Sequence, residues 1–260
     1  MLQVFYSNKL ERLVDAMVDA VGHERRRLHQ SPFDRTPVVV PNWNVEAYLK
    51  YEVARRKGIA AHMEHRQVVE FFESLLAESL LAGKEKSSGE SYRVLDERTL
   101  QFLIIEALSD KELVASRELE QVRNYLGAAG DDREALELRR FQLSAHLAEL
   151  FREYGYSRSE LVEGWLEDDP SSVFKEQRWR HIERWQRAIW RDLFGAGGRL
   201  AKLADARGTQ FLRLPEIFER VPHDDLQIPA SVHFFATGKL GSVFERVLGQ
   251  FGELTDVYLW

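Results

Sequence analysis

The chain has no cysteine, which excludes disulfides, thiolate metal sites and a cysteine nucleophile. It has no apolar run near the ~20 residues that span a bilayer. Met1–Tyr6 lacks the basic region that opens a secretory signal, and polar residues follow it at once. These absences point to a cytoplasmic protein with no membrane partner. Catalytic signatures are missing as well. No two histidines stand four apart on one helix, no Gly-x-Ser-x-Gly elbow occurs, and no Asp…Glu-x-Lys set falls on neighbouring strands. His62 and His65 flank Glu64, but they straddle a strand end and a turn, a weak metal pattern. We expect no catalytic residue, no cofactor and no metal in this chain.

What is present is the composition of a globular protein. With 44% hydrophobic and 30% charged residues among 260, a sizeable core is expected and disorder is not, in one large domain or two smaller ones. The formal net charge of −6 argues against a protein coated in nucleic acid. It leaves room for a local basic channel, because steering depends on where charge sits. Leu254–Leu259 reads as a strand that stops without a tail, so a longer parent chain is expected.

The segment Thr36–Met63 organises the rest. Thr36–Val40 is a β-branched run, Pro41–Asn44 breaks it, Val45–Lys57 has helical apolar spacing, and Gly58 stops that helix before a second strand at Ile59–Met63. Leu2–Tyr6 is an earlier strand. Ser7-Asn8 is expected to cap the helix whose stripe is Leu10, Leu13, Val14, Met17, Val18 and Val21, with Arg25–Arg27 at its cation-favouring end. Val68–Leu81 is a helix, and Gly83–Glu90 is the clearest linker. From Asp96 to Ala206 helical spacing dominates: Arg98–Leu108, Ser116–Tyr125, Asp132–Tyr154 (capped by Asp131-Asp132), Ser159–Trp165, a long helix from Pro170 to Phe194, and Arg199–Ala206. Strands return at Ser231–Ala236 and Leu254–Leu259, around a helix at Leu240–Phe251. The pattern predicts an α/β fold: a mainly parallel sheet with helices on both faces, from residues 1–95 and 207–260. An all-helical domain is inserted at 96–206.

Ligands of such sheets sit at the carboxyl ends of the strands, which directs attention to Ser7–Lys9 and Pro41–Asn44. A phosphate-cradling loop needs glycines, a lysine and a Ser or Thr for magnesium. Tyr6, Ser7, Asn8 and Leu10 are not glycine, and the turn is short, so Lys9 reads as a surface lysine. Thr237-Gly238-Lys239 lacks an upstream Gly-rich run and reads as a plain turn. Trp43 is open between stacking on an unpaired base and packing under a neighbouring loop. Lys175, Arg178, Arg180, Arg184, Arg187 and Arg191, interleaved with Trp179, Trp185 and Trp190, are open between a phosphate track and a solvated face over a tryptophan core.

Several segments resemble one family in collinear order: Tyr6-Ser7-Asn8-Lys9-Leu10, Lys57-Gly58-Ile59-Ala60-Ala61, and Phe141-Gln142-Leu143-Ser144 through Leu150-Phe151 to Tyr154 and Arg158. Trp190 with Leu193, and Ile217-Phe218, follow in the same order. They resemble the amino-terminal part of the RecC family, the gamma subunit of exodeoxyribonuclease V. The resemblance covers the whole chain, with its strength in collinearity rather than in any single motif. It implies a superfamily 1 helicase-like lobe whose ATPase chemistry is lost, in a non-catalytic subunit. That subunit lies against a RecB-like helicase–nuclease and a RecD-like helicase. It guides the 3′-ended single strand of DNA and scans it for the Chi signal in double-strand-break repair.

Carried over by position, the resemblance implies DNA-binding residues Pro41, Trp43 and Ala47 after the second strand, and Gln67 and Glu73 after the third. It adds Glu149, Leu150, Arg152 and Arg158 in the helical part, with Arg213 as a looser match. Pro41 and Ala47 stand where the family uses glutamines, and Arg152 where it uses an acid, which weakens base-edge readout of the same signal. Two other classes stay open: an active or AddB-like helicase–nuclease subunit, and a pure protein-interaction scaffold.

Overall fold

The structure is a computed structural model and describes all residues but 32, 82–90, 131, 168–175 and 239–240. Along the chain come β1 (Leu2–Val4), α1 (Leu10–Arg27), β2 (Thr36–Val40), α2 (Trp43–Lys57), β3 (Met63–Gln67) and α3 (Val68–Leu81). Next are β4 (Tyr92–Val94), α4 (Glu97–Ser109), α5 (Lys111–Ala115), α6 (Glu120–Gly127), α7 (Arg133–Ser157), α8 (Ser159–Gly164), α9 (Gln177–Phe194), α10 (Arg199–Arg207) and β5 (Gln210–Leu212). The chain ends in α11 (Leu214–Arg220), β6 (Ser231–Phe234), α12 (Ser242–Leu254) and β7 (Asp256–Leu259). Two compact units result: residues 1–89 with 214–260, and residues 90–213.

The first unit is built on a five-stranded sheet in the order β1-β7-β6-β2-β3, with every recorded pairing parallel. Successive strand residues face opposite ways, and the two faces are buried differently. Val38, Val40 and Phe235 pack with Leu13, Val14, Met17, Val18 and Val21 of α1 and with Leu49 and Val53 of α2. On the other face Phe234 meets Phe71 and Phe72 of α3, and Phe72 meets Phe218 of α11 and Phe251 of α12. Helices thus cover both faces, as a parallel sheet requires. Pro37 is tolerated in this central strand. Val39 presents its carbonyl to β6, so by period two the nitrogen of Pro37 faces β6 as well. Pairing there begins only at Val38.

One polar link crosses the first of these faces. His233 is fully buried, and Trp260 Nε1 donates to its Nδ1 at 3.1 Å. An indole N–H can only donate, so the His233 proton sits on Nε2, 3.1 Å from Glu24 Oε2. The Tyr258 ring stacks on His233 with centroids 4.8 Å apart. Burial pushes the Glu24 carboxyl up, but hydrogen bonds from His233 and Ser231 and the nearby Arg27 cation outweigh it and hold the group below its usual range.

The second unit is a helical core with a two-stranded parallel sheet, β4–β5. Leu100 and Ile104 of α4, Val122 of α6, Phe151 of α7, Val162 of α8 and Trp190 of α9 meet in one cluster. Trp190 contacts Phe151, Trp165 and Phe194 with centroids 5.2, 6.0 and 4.3 Å away.

Several elements differ from the sequence-based expectation. The strand expected at Ile59–Met63 runs from Met63 to Gln67. Gly58 at φ 81° and His62 at φ 71° both turn the chain, so the apolar Ile59–Ala61 serves the reversal rather than the sheet. Ser7-Asn8 does not cap α1. Lys9 holds the N-cap position with no side-chain bond, and Ser7 Oγ accepts the Lys9 N–H at 3.1 Å. The helix expected to begin at Ser116 begins at Glu120, as α6, and the short α5 that precedes it was not expected. β4 and β5 have three residues each, too few to display an alternation. The Gly83–Glu90 linker, Asp131, Lys239 and the expected helix start at Pro170 lie outside the described residues. No helix among the described residues is long and apolar enough to cross a membrane.

Two buried titrating groups predict two separate losses of stability on acidification. Both ring nitrogens of His65 on β3 are buried without a partner. Burial lowers its pKa, Glu46 opposing and Lys50 adding to the effect. Its contribution is complete above the ordinary value of about 6.5 and falls away below it. Urea midpoints should therefore drop between pH 7 and 5, and His65→Leu should flatten that drop. The Glu24 contribution is present above the ordinary carboxyl value of about 4.3 and lost as pH falls through its lower folded value. Glu24→Gln should lower the midpoint at pH 7 and remove part of the loss in that acid window. A flat wild-type profile would contradict both.

Candidate nucleic-acid interface

Because the five strands are parallel, their carboxyl ends share one edge. Along it stand the Phe5–Lys9 turn, Trp260, the Phe235–Gly238 turn, Pro41–Asn42 and Gln67, in the order of the strands. Val40 pairs with Gln67, so the loop after β2 and the end of β3 are neighbours. The edge thus gathers Pro41, Trp43 and Gln67. Ala47 lies one turn further along α2. Glu73 lies off the edge, half-buried on the second turn of α3 and already engaged.

Asn42 builds the local geometry. Its Oδ1 accepts the N–H groups of Asn44 and Val45 at 3.0 and 3.1 Å, capping α2. That fixes Trp43 at the first helical position with 70% of its surface exposed, so it does not pack under a neighbouring loop. Trp43, Ala47 and Tyr51 are spaced i, i+4, i+8, and all three are exposed. They form one stripe with steps of about 6 Å along the axis. Tyr51 was missed in the sequence, although its four-residue spacing from Ala47 was a legible signal. Tyr6, 94% exposed after β1, is a second aromatic on the edge. The α2 cations do not sit free beside the stripe. Lys50 pairs with Glu46 at 2.5 Å, Arg55 with Glu52 at 2.9 Å, and Arg56 with Asp15 and Glu52. The edge therefore offers stacking surface more than positive charge.

The Phe5–Lys9 turn has no glycine, and α1 begins without a side-chain cap. Gly238 occupies a left-handed turn at φ 60°. Among the described residues no group of three or more His, Asp or Glu side chains is arranged to hold a metal ion.

The second unit carries its own set. Glu149, Leu150 and Arg152 lie on α7, and Arg158 is its C-cap residue. Glu149 and Arg158 are exposed. Leu150 packs against the helical core. Arg152 is half-buried and pairs with Glu97 at the start of α4, 2.8 Å away. Arg213 lies over the rings of Trp190 and Phe194, 5.9 and 5.5 Å from their centroids. On α9, Trp190 is buried and Trp185 packs on the core, while Trp179 is 43% exposed. Arg191 binds the carbonyls of Trp165 and Glu167. Arg184 is exposed; Lys175 and the Arg178 side chain are not described.

The frame is thus that of an α/β protein with a parallel sheet, an aromatic carboxyl edge and a separate helical unit. The family model described as "RecC, N-terminal domain" matches residues 2–260, and the chain belongs to that family. It is 21% identical over 279 aligned positions to the RecBCD enzyme subunit RecC of Haemophilus influenzae. The match covers all of this chain and 23% of that relative's length.

Arg213 tests whether a matched residue is structural. A cation over two aromatic faces contributes about 0.5–2 kcal/mol, so Arg213→Ala should lower stability by that order in urea denaturation. Arg213→Lys should restore only part, because a planar guanidinium stacks where an ammonium does not. An unchanged midpoint for the alanine variant would show that the stacking contributes nothing.

Proposed function

We propose that the chain is the amino-terminal part of a non-catalytic RecC-type subunit. In a RecBCD-type helicase–nuclease of the cytoplasm it would contact RecB-like and RecD-like partners and guide the 3′-ended single strand during double-strand-break repair. One observation carries the reading: an indole capped into an exposed position at the carboxyl edge of a parallel sheet, with Ala47 and Tyr51 continuing its stripe. Exposed aromatics of this kind hold unpaired bases by their faces, at ~1–3 kcal/mol per base. The lack of glycine in the Phe5–Lys9 turn supports an ATPase-like lobe without ATPase chemistry, and it weighs against an active or AddB-like subunit.

Arg152 and Arg213, both matched to the strand path, make contacts within their own unit. That favours, as a second reading, a scaffold in which the helical unit holds partners and never meets DNA. The two readings part in the assembled complex. Trp43→Ala should weaken photo-crosslinking of a 3′-ended single strand roughly 5- to 100-fold. Arg158→Glu should weaken it further and reduce its salt dependence. Unchanged crosslinking in both variants, with the subunits still assembled, would leave only the scaffold.

A further inference from the structure

The second unit holds a cleft of about 610 Å3 between α4, the β4–β5 pair and α10. That volume lies within the ~300–1,000 Å3 of ligand sites. Leu103, Leu203, Phe211 and Thr209 contribute to its lining, and three arginines reach it from three elements: Arg93 of β4, Arg98 of α4 and Arg207 at the end of α10. Arg98, Phe102 and Glu106 follow one another at four-residue intervals on a single face of α4. Phe102 is 70% exposed.

The convergence of three arginines on one cavity sets the cleft apart. The protein has 42 acids against 36 lysines and arginines. Some arginines find carboxylates, as Arg56 does with Asp15 and Glu52, Arg66 with Glu64 and Glu78, and Arg199 with Asp110 and Asp192; others, such as Arg158 and Arg184, stand singly on the surface. The side chains of Arg93, Arg98 and Arg207 make no ion pair or hydrogen bond among the described residues, and all three are exposed. Of the two acids on the lining, Asp96 caps α4 by accepting the Thr99 N–H at 2.7 Å. Glu106 lies two turns from Arg98, about 12 Å along the axis. A lone exposed phenylalanine on a helix needs no explanation. Set among three unpaired arginines around one cavity, it has the composition that binds nucleotides: a face for a base and guanidinium forks for phosphate.

We propose that this cleft binds a nucleotide, its base against Phe102 and its phosphate oxygens held among Arg93, Arg98 and Arg207. The nucleotide is either one unit of a single strand or a free nucleoside phosphate; both present the same plane and the same anion. The proposal goes beyond the strand path suggested above, because none of its residues belongs to that path.

The test uses the full chain and measures anisotropy of a fluorescein-labelled oligothymidylate, with an abasic strand of equal length, free thymidine triphosphate and a polyglutamate peptide as comparisons. Phe102→Ala should weaken the oligothymidylate roughly 5- to 100-fold and leave the abasic strand unchanged, and Phe102→Trp should restore binding. Each of Arg93→Ala, Arg98→Ala and Arg207→Ala should weaken both strands and lower the salt slope by about 0.7. Triphosphate that competes through the same four residues marks the free nucleotide as the ligand. Triphosphate that does not compete marks the strand. A Trp43→Ala variant measured in parallel separates the two sites: loss at Phe102 with none at Trp43 upholds the cleft and counts against the edge. Binding indifferent to Phe102→Ala overturns the proposal. So does polyglutamate that binds through the same arginines while oligothymidylate does not, which would make the cleft an acidic-peptide groove.

Discussion

The single direction of the five strands is the constraint on which the first unit depends. A strand that must run parallel to its neighbour has to be reached by a crossover, so each face of the sheet acquires helices and the strands lose contact with water. Two consequences follow. Polar groups on the inner strands must be satisfied from within, and the chain from Glu24 through His233 to Trp260 does this with each donor matched to an acceptor. The carboxyl ends of all five strands must also share one edge, so loops far apart in sequence become neighbours. Pro41 and Gln67 lie 26 positions apart, yet they meet because β2 and β3 pair. Direction leaves these loops nowhere else to go.

Elements with a strong local signal were legible in the sequence. Val38–Val40 is apolar on both faces, as a covered strand is, and the Gly58 stop ends α2 where expected, whereas the Asn42 cap starts that helix at Trp43, two residues before the expected Val45. What was illegible depended on backbone states that no composition announces. His62 in a left-handed conformation moved the start of β3 to Met63, past an apolar run that looked like a strand. β4 and β5 exist because each pairs with the other across more than a hundred residues, and three residues cannot advertise such a partner. Among the candidate site residues, the exposure of Trp43 follows from its place just after a cap. The engagement of Arg152 by Glu97 and of Arg213 by two rings could not be read, because these partners are distant in sequence.

Electrostatics divide the two units in kind. A chain with more acids than bases repels a polyanion at long range, so contact with nucleic acid depends on local groups. On α2 the cations are neutralised by carboxylates one turn away, and what faces outward is Trp43, Ala47 and Tyr51. Attraction of a base there would come from ring faces, which salt does not screen. Around the cleft of the helical unit the arginines are unpaired, and attraction of an anion there would fall with ionic strength. If both proposed surfaces bind, the first would be nearly indifferent to salt and the second would weaken with it.

Discrimination between bases asks for more than attraction. Reading a base edge requires donors and acceptors at fixed places, and the matched positions of the carboxyl edge have few. Pro41 has no N–H, Ala47 has no polar atom, and the Asn42 oxygen is occupied by two backbone amides. Gln67 is exposed and keeps both amide functions at the end of β3. A strand drawn across such an edge would be gripped at Trp43 and Tyr51 whatever its sequence, since every base has a face to stack. Base edges would meet Gln67 and the other polar side chains of the edge, among them Asn8, Asn44 and Thr237. On the proposed reading, passage and base reading would be separable: the first would rest on the aromatic faces of α2, and the second on polar side chains along the edge such as Gln67.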